Sequence, residues 1–527
     1  MSSTLTRPEV SGTPVPQTLS WQQWAIALTA SLAAILEVID TSIVNVALVN
    51  VQASLGATLA EVSWVVTGYG IGNVIVLPLS AKLGDRFGKK AYFLFSLVGF
   101  TAASVLCGLA VNLPMLVVAR LAQGLLGGGL LAKAQAILFE TFPPTLQGLA
   151  QAIFGVGVIT GPAIGPTLGG YLTDNFGWRW IFFINLPVGI AAVVMALIFL
   201  PEDPVETRAS ARLDGWGILW LALMLGSLQT LLEEGERQDW FDAAEIRQLA
   251  VVAAIAFGLF LVRELRTPDP AVDLRVLRHR SLALGSLYSA VIGIGLYGTL
   301  FIIPIYAQSV LHFTAQQTGL LLLPGALASA VTMTSLGKVI NRFDPRVIIS
   351  AGALITVGVM LNLSDINPDT GTDSMFWPLL IRGVGIVMMF LPLSLVALGP
   401  LPKADIAAGS GFYNLTRLLG GSIGVAALAS FLSHQRSYHR GLLSINLSEF
   451  SAATQDRLQF LQQSFLHQGF ARETAHQLAL TQLDRQLELQ ANLLAYADVF
   501  RVVALLFLLT LPLVFWLSRP PSPDQPG

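Results

Sequence analysis

Fourteen apolar segments, each long enough to cross a lipid bilayer, constrain this chain more than any other feature of its sequence. A helix that crosses the hydrocarbon core needs about 20 mostly apolar residues. Such segments begin near residues 24, 62, 91, 114, 149, 180, 214, 248, 282, 318, 347, 376, 405 and 500. Of the 527 residues, 54% are hydrophobic and 12% are charged, whereas about 25% are charged in soluble domains. The sequence therefore predicts an all-α integral membrane protein with fourteen transmembrane helices.

Charge and motif content argue against several classes of function. The net charge of −2 gives no support to nucleic-acid binding, and the single cysteine, Cys107, cannot form an internal disulfide. The six histidines show no metal-ligand spacing. The sequence has no phosphate-binding G-x-x-x-x-G-K-S/T motif and no evident nucleophile constellation. We therefore expect neither enzyme activity nor a metal or other cofactor.

The charges of the loops predict how the helices are oriented. The first twenty residues do not resemble a cleaved signal peptide, so we expect the first apolar segment to remain a membrane helix. An even number of spans puts both termini on one side, and the positive-inside rule makes that side cytoplasmic. This predicts a multi-pass protein of the cell (inner or plasma) membrane. The basic residues of that side include Lys82, Arg86, Lys89, Lys90, Arg263, Arg266, Arg275, Arg278, Arg280, Lys338, Arg342 and Arg346, and the opposite acidic ones include Glu233, Glu234, Glu236, Asp239, Asp365 and Asp373.

One long stretch, residues 433–498, lies on the predicted outer side and has the composition of a soluble segment. Apolar residues recur there at helical spacing from Leu458 to Leu494, which predicts one or two amphipathic helices outside the membrane. Two interpretations stay open. The segment could cap the exit of the protein, or it could be a docking site for a partner such as a periplasmic adaptor protein.

Two carboxylates, Glu37 and Asp40, lie within the first apolar segment. A charge near the middle of the bilayer costs roughly 2.5–3.5 kcal/mol even on the gentler insertion scales, so such residues usually face a cavity and carry function. Residues three apart share one face of a helix. A protonatable pair aimed into the protein is what a proton-coupled carrier needs.

The fourth segment carries a cation, Arg120, inside an apolar run. We expect Arg120 to pair with Asp40, because an intramembrane arginine requires a carboxylate or a cavity. The alternative is that Arg120 extends to the nearby membrane interface. Arg120, Gln123 and Gly124 together resemble the R-x-x-Q-G motif of the major facilitator superfamily.

Residues 81–90, Ala-Lys-Leu-Gly-Asp-Arg-Phe-Gly-Lys-Lys, form a basic loop after the second segment. The loop resembles the G-x-L-x-D-R-x-G-R-K motif of the same superfamily, with Ala81 in place of the first glycine. We expect its glycines to allow a tight turn between helices. We expect its aspartate to pair with an arginine or to lie at a helix N-terminus. The predicted cytoplasmic gate loop comprises Leu83, Gly84, Asp85, Arg86, Gly88, Lys89 and Lys90.

The fifth segment is rich in glycine and resembles the G-x-x-x-G-P-x-x-G-G motif that marks antiporters within the superfamily. Glycines four apart let two helices touch backbone to backbone, and the prolines are expected to bend the helix. A close and bent contact could act as a pivot and a seal, although simple close packing explains the same pattern. The motif residues are Gly157, Gly161, Pro162, Gly165, Pro166, Gly169 and Gly170.

Several further stretches narrow the resemblance to the fourteen-helix drug:proton antiporters of the EmrB/QacA type. They include Leu36–Thr41, Trp178–Gly189, Asp214–Gly217 and Gly409–Asn414, and the resemblance covers about residues 20–518. It implies a major facilitator fold with two six-helix bundles and two inserted helices. The implied divisions are a cytoplasmic tail 1–20, an N-terminal bundle 21–203, the inserted helices 204–266, a C-terminal bundle 267–518 and a tail 519–527.

The resemblance also implies a function. It predicts proton-driven export of amphipathic small molecules by alternating access, with the proton as the only coupling ion and Asp40, Glu37 and Arg120 handling it. Substrates, membrane lipids and a possible periplasmic adaptor are the expected partners. The alternatives are a dedicated exporter of an endogenous lipid or metabolite, and a membrane component that docks an adaptor in a larger assembly.

Lys133 departs from the family pattern, which has an apolar residue at that position. If it faces the cavity, it favours anionic or zwitterionic substrates; otherwise it extends to the cytoplasmic interface. The candidate residues of the substrate cavity are Asn45, Gln123, Lys133, Tyr306, Gln308, Arg382, Asn414 and Arg417.

Overall fold

The computed structural model describes residues 20–202, 213–365, 367, 372–445, 447 and 451–517. Within these residues every regular element is a helix, and thirteen helices are long and apolar enough to cross a membrane. A bent helix over Pro144–Phe176 raises the number to fourteen. The all-α fold with fourteen spans is therefore confirmed. The predicted tails lie outside the described residues, apart from Ser20.

The first part of the chain forms eight helices, here called the N-terminal group. The fourth span is interrupted between α4 and α5, and α7 is a single turn that leads into α8. The helices are α1 (Trp21–Leu55), α2 (Leu59–Phe87), α3 (Lys89–Gly108), α4 (Leu113–Gly127), α5 (Leu130–Thr141), α6 (Pro144–Phe176), α7 (Trp180–Phe183) and α8 (Asn185–Phe199).

The described residues of the rest of the chain form nine α-helices, besides four short 3-10 helices. The pair α9 and α10 packs mainly on itself, with α9 also touching α2 and α15. The seven helices that follow are here called the C-terminal group. The helices are α9 (Gly215–Glu234), α10 (Ala244–Arg266), α11 (Arg280–Ser309), α12 (Ala315–Val339), α13 (Pro345–Leu363), α14 (Thr372–Leu398), α15 (Ile406–Ile445), α16 (Ala452–His467) and α17 (Arg472–Val514).

The stretch 433–498 is largely helical in its described residues, as the sequence predicts, but two of its helical parts continue directly into membrane spans. Only α16 is a separate helix, because α15 continues to Ile445 and α17 begins as early as Arg472. Neither helix contains a proline in its extended part, so nothing interrupts the backbone hydrogen bonds where the chain leaves the apolar layer. The helix that contains the last span thus begins well before residue 500, and the extended ends of α15 and α17 with α16 form one projecting unit.

The two groups meet along α6 with α12 and along α2 with α15. We call the face where α1 begins and α17 ends the terminal face, since an even number of spans returns the chain to one side. Near that face Gly337 packs against Ala152, and at the opposite end Gly319 packs against Thr167. Along α6 and α12 the groups therefore touch near both ends.

Candidate functional site

Asp40 lies fully buried in the middle of α1 and is held by three side chains. Its Oδ2 accepts a hydrogen bond from Arg120 Nη1 at 2.5 Å. Its Oδ1 accepts from Gln123 Nε2 at 3.0 Å and from Asn185 Nδ2 at 2.8 Å. The predicted pairing of Asp40 with Arg120 is confirmed. The pair joins α1 to α4, and Asn185 adds the start of α8.

Arg120 is as deeply buried as its partner and does not extend to the membrane interface. Its Nε donates to the Val65 carbonyl at 3.0 Å, and its Nη1 also donates to Gln123 Oε1 at 2.8 Å. The guanidinium lies 4.3 Å from the centre of the Tyr69 ring, a position that favours a cation. Several groups thus hold the arginine in place, so it forms a fixed counter-charge for Asp40.

Glu37 lies one turn before Asp40 but has a different set of partners. Its Oε2 accepts from the backbone N–H of Leu131 at 2.7 Å, and its Oε1 accepts from Asn73 Nδ2 at 2.7 Å. Leu131 is in the first turn of α5, after Gly129 with φ +73°. A helix N-terminus has free N–H groups and a partial positive charge that favours a carboxylate. The break in the fourth span therefore creates the site that holds Glu37.

Four glycines of α6 at four-residue spacing, Gly157, Gly161, Gly165 and Gly169, face α1, whereas Gly170 of the same motif faces α12. A methyl group at Gly157 or Gly161 would crowd Ile35 or Val38, and one at Gly165 would overlap the hydroxyl of Ser42. The glycines thus let α6 lie directly against the helix that carries both acids. The predicted bend is also present, because the two parts of α6 meet at 48° next to Pro162.

The basic loop after α2 confirms one part of its prediction and corrects another. Gly88 has φ +93° and forms the turn between α2 and α3. Gly84 is wrongly assigned to the turn, because α2 continues through it to Phe87. Asp85 is exposed in the last turn of α2 and forms no ion pair with another described residue.

The lysines of this region bind other elements on the terminal face. Lys82 Nζ lies 2.7 Å from Asp269 and Lys89 Nζ lies 2.7 Å from Glu140. Lys90 Nζ donates to the carbonyl of Leu200 at 2.9 Å. These contacts connect α2 and α3 to α5, to the end of α8 and to the segment after α10.

Lys133 faces the inside of the N-terminal group. Its Nζ lies 2.5 Å from Ser96 Oγ and 3.9 Å from the centre of the Tyr92 ring. It lines a cleft toward the terminal face together with Gly84 and Glu140. The effect of Lys133 on substrate choice stays a prediction.

A second cleft, here called the central cleft, lies between the two groups. Five helices line it, namely α6, α11, α12, α14 and, through Arg417, α15. The residues from the first four lie close to the middle of their helices, and most of the lining is apolar. Two of the predicted cavity residues, Arg382 of α14 and Arg417 of α15, line it, as does Pro162 of the glycine-rich helix. The wall of the central cleft is thus shared between α6 of the N-terminal group and helices of the C-terminal group.

The remaining candidates lie elsewhere. Asn45 and Gln308 are exposed, and Tyr306 is buried in the C-terminal group with its ring 5.3 Å from that of Tyr496. Asn414 donates to Gln135 Oε1 at 2.6 Å, which connects α15 to α5. Neither of the two clefts described above is lined by these four residues, and a role in substrate binding stays a prediction for each of them.

Residue-level reasoning missed three polar side chains that the structure adds to the site. Asn185 and Asn73 bind the two carboxylates, and Gln135 connects the two groups. In the sequence, each of these residues is an amide within an otherwise apolar span. Such a residue indicates a polar contact, because a polar group at that depth requires a partner.

Comparisons with known proteins agree with this geometry. Residues 30–425 match the sequence profile of the Major Facilitator Superfamily. The chain is 32% identical over 497 residues to the multidrug export protein EmrB of Escherichia coli K12, covering 94% of this chain and 95% of that protein. It is 30% identical to the fatty acid resistance protein FarB of Neisseria gonorrhoeae, covering 95% and 96%.

A solved structure shows the same fold. The crystal structure of the human organic anion transporter MFSD10 (TETRAN) superimposes with a TM-score of 0.61 at 15% identity and covers 93% of this chain and 99% of that one. The fold, the sequence profile and the full-length relatives agree. This chain is a multi-pass membrane protein that belongs to the Major Facilitator Superfamily, in the branch of the EmrB export proteins.

Proposed function

We propose that this protein exports amphipathic small molecules across the cell membrane in exchange for protons. The observation that carries the proposal is the buried ion pair of Asp40 with Arg120, which joins α1 to α4. The names of its full-length relatives, multidrug export proteins and a fatty acid resistance protein, support an exporter.

Asp40 is the group that we propose takes and releases the proton. Protonation removes the charge that holds Arg120, so the contact between α1 and α4 weakens. Because α1 also packs on the glycines of α6, a change at Asp40 can reach the interface between the two groups. Glu37 binds the first turn of α5, so a shift of α1 relative to the fourth span would also change the surroundings of Glu37.

The proton gradient supplies enough energy for this exchange. One proton that moves inward yields about 2.3 kcal/mol per 100 mV of membrane potential and about 1.4 kcal/mol per pH unit. Together these sustain roughly a hundredfold or larger substrate gradient. We propose that the terminal face, with Lys82, Lys89, Arg275 and Arg278, is the cytoplasmic one.

Purified protein in liposomes with an imposed pH gradient tests the proposal. Export of a cationic, neutral or anionic amphiphile that stops when the gradient is collapsed is the expected result. Transport that ignores the gradient for every compound would refute proton coupling.

A second role is favoured by the projecting unit of α15, α16 and α17, whose exposed apolar side chains include Tyr438, Phe460 and Phe470. We propose that this unit docks a periplasmic adaptor protein. Deletion of α16 should abolish co-purification with a co-expressed periplasmic adaptor protein while leaving liposome transport intact.

A further inference from the structure

Arg382 and Arg417 are two buried cations that line one cleft without an acidic partner among the described residues. Arg382 is 7% exposed and Arg417 is 2% exposed. Arg382 Nη2 donates to Thr299 Oγ1 at 2.5 Å, and Arg417 donates to the side-chain oxygen of Asn414. Both partners are neutral, so neither arginine forms an ion pair in the described part of the chain.

Each arginine also retains a donor that nothing in the described structure accepts. These donors are Nε of Arg382 and Nη1 of Arg417, both buried. A buried donor without an acceptor is unfavourable, and more so when it carries a charge. The Arg417 guanidinium lies 5.0 Å from the centre of the Phe390 ring, which gives only a partial substitute for an anion.

The sequence of the surrounding helices explains why no carboxylate forms an ion pair with either arginine. Glu37 of α1 acts on Arg417 only through space, without contact. The five helices that line the central cleft contain only two acidic residues, Asp174 near the end of α6 and Asp373 at the start of α14. Asp373 is nine residues before Arg382, about 13 Å along the helix at 1.5 Å per residue. The two acids of α1 are bound to other groups, Glu37 to Asn73 and Leu131 and Asp40 to Arg120.

Apart from Ser329 and the hydroxyl-bearing Tyr297, the rest of the cleft is apolar. Around the arginines its wall includes Val158, Ile159, Leu300, Leu322, Leu379 and Ile386. Two cations without an ion pair, set in such a wall, suit a ligand with one anionic group and an apolar body. The anionic group would bind the arginines and the apolar body would pack against the wall.

We propose that the central cleft binds anionic amphiphiles, with the negative group between Arg382 and Arg417 and the apolar body against the aliphatic wall. This inference rests on the proposed function and names the charge class of the substrates that it prefers. Carboxylates suit both arginines because a guanidinium offers parallel donors to two oxygens. Arg417 also donates to Asn414, and Asn414 donates to Gln135 of the N-terminal group. An anion bound at Arg417 would therefore lie next to a hydrogen bond that connects the two groups.

Equilibrium binding of three pyrene probes to purified protein in nanodiscs tests the proposal. Pyrenebutanoate, pyrenebutanol and pyrenebutyl-trimethylammonium share one apolar body and differ in charge. The wild type should bind the anion about ten- to a hundredfold more tightly than the alcohol and bind the cation most weakly. Equal binding of anion and alcohol, or tighter binding of the cation, would overturn the proposal.

Substitutions then locate the effect. Arg382→Gln and Arg417→Gln should each remove most of the preference for the anion while leaving pyrenebutanol binding within about threefold of wild type. Arg382→Lys keeps the charge and should retain a preference, and it serves if either glutamine variant fails to fold. Arg275→Gln, which removes an exposed cation outside the cleft, is the matched control and should change nothing. A preference that survives both glutamine substitutions would place the anion elsewhere and refute the assignment.

The same measurements separate this inference from the proposed function. Binding needs no proton gradient, so intact preference for the anion in a protein that exports nothing would refute proton-driven export alone. Proton-driven export by a protein that binds the three probes equally would refute the anion site alone.

Discussion

Glu37 of α1 accepts a hydrogen bond from the backbone N–H of Leu131, 2.7 Å away, where the fourth span is interrupted. Three residues later on the same helix, Asp40 binds Arg120 on the other side of that interruption. The two acids of α1 therefore hold the two parts of the fourth span separately. One is a buried ion pair and the other is a carboxylate at a helix N-terminus, so they are expected to respond differently to substitution.

Asp40→Asn should abolish proton-driven export, because an amide keeps the shape of the carboxylate but cannot carry the proton. The measurement is substrate movement in liposomes after a step in pH. Asp174→Asn changes an exposed acid near the end of α6 and should leave export intact. Export by the Asp40→Asn protein at the wild-type rate would exclude Asp40 as the coupling group.

Arg120→Gln should destabilise the protein by about 3–5 kcal/mol, because removal of one partner leaves the other buried and unpaired. Thermal unfolding in detergent, followed by tryptophan fluorescence, measures the change. The double variant with Asp40→Asn should be less destabilised than the sum of the single variants.

The exposed pair Arg440 and Asp484, 2.7 Å apart with side chains about half exposed, is the control for that experiment. Solvent screens such pairs, so Arg440→Gln should change the free energy of unfolding by less than about 1 kcal/mol. Equal effects at the buried and exposed pairs would show that burial of Arg120 does not matter for stability.

Gly165→Ala should destabilise the contact between α1 and α6 by about 1–3 kcal/mol, since the added methyl group would overlap Ser42. Gly258→Ala in α10 meets open space, and it should be neutral or stabilising by about 0.5–1 kcal/mol because alanine favours helix. Unfolding temperatures of the two variants make the comparison. A Gly165→Ala protein as stable as the Gly258→Ala protein would contradict close packing at this stripe.

Glu37→Gln should lower stability moderately and reduce export without abolishing it. Asn73 and Leu131 donate to different oxygens of Glu37, and a glutamine replaces one of these oxygens with an NH2 group, so one of the two donors would face another donor. We expect a loss of about 1–3 kcal/mol, measured by thermal unfolding, with coupled export assayed in parallel.

Glu473→Gln provides the comparison for Glu37, because this exposed carboxylate also lies in the first turn of a helix, α17. The Glu473→Gln substitution should lower the free energy of unfolding by a few tenths of a kcal/mol up to about 1 kcal/mol. If Glu37→Gln stopped export completely, Glu37 would be as necessary as Asp40 and the division of roles between them would be wrong.

The sequence was sufficient where one residue or one segment carries the energetic constraint. Segment hydropathy determines the number of spans, since only long apolar stretches are stable in the bilayer. The pairing of Asp40 with Arg120 was also predictable, because two opposite charges at membrane depth each require a partner. The glycine spacing of α6 indicated close packing against another helix, although it did not identify α1 as that helix.

The tertiary structure decided the features that depend on two or more distant segments. The sequence around Gly129 is compatible with an unbroken fourth span. In the structure Gly129 has a positive φ, which frees the Leu131 N–H, and Glu37 can accept from it because α1 packs beside this break. Composition separates the outer stretch 433–498 from the last apolar segment, yet α17 runs continuously from Arg472 to Val514, and no proline interrupts it before Pro512. Arg382 and Arg417, 35 positions apart, share one cleft because α14 and α15 pack around it. Local sequence determines where each helix lies relative to the bilayer, whereas the partner of each buried polar group depends on how the helices pack together.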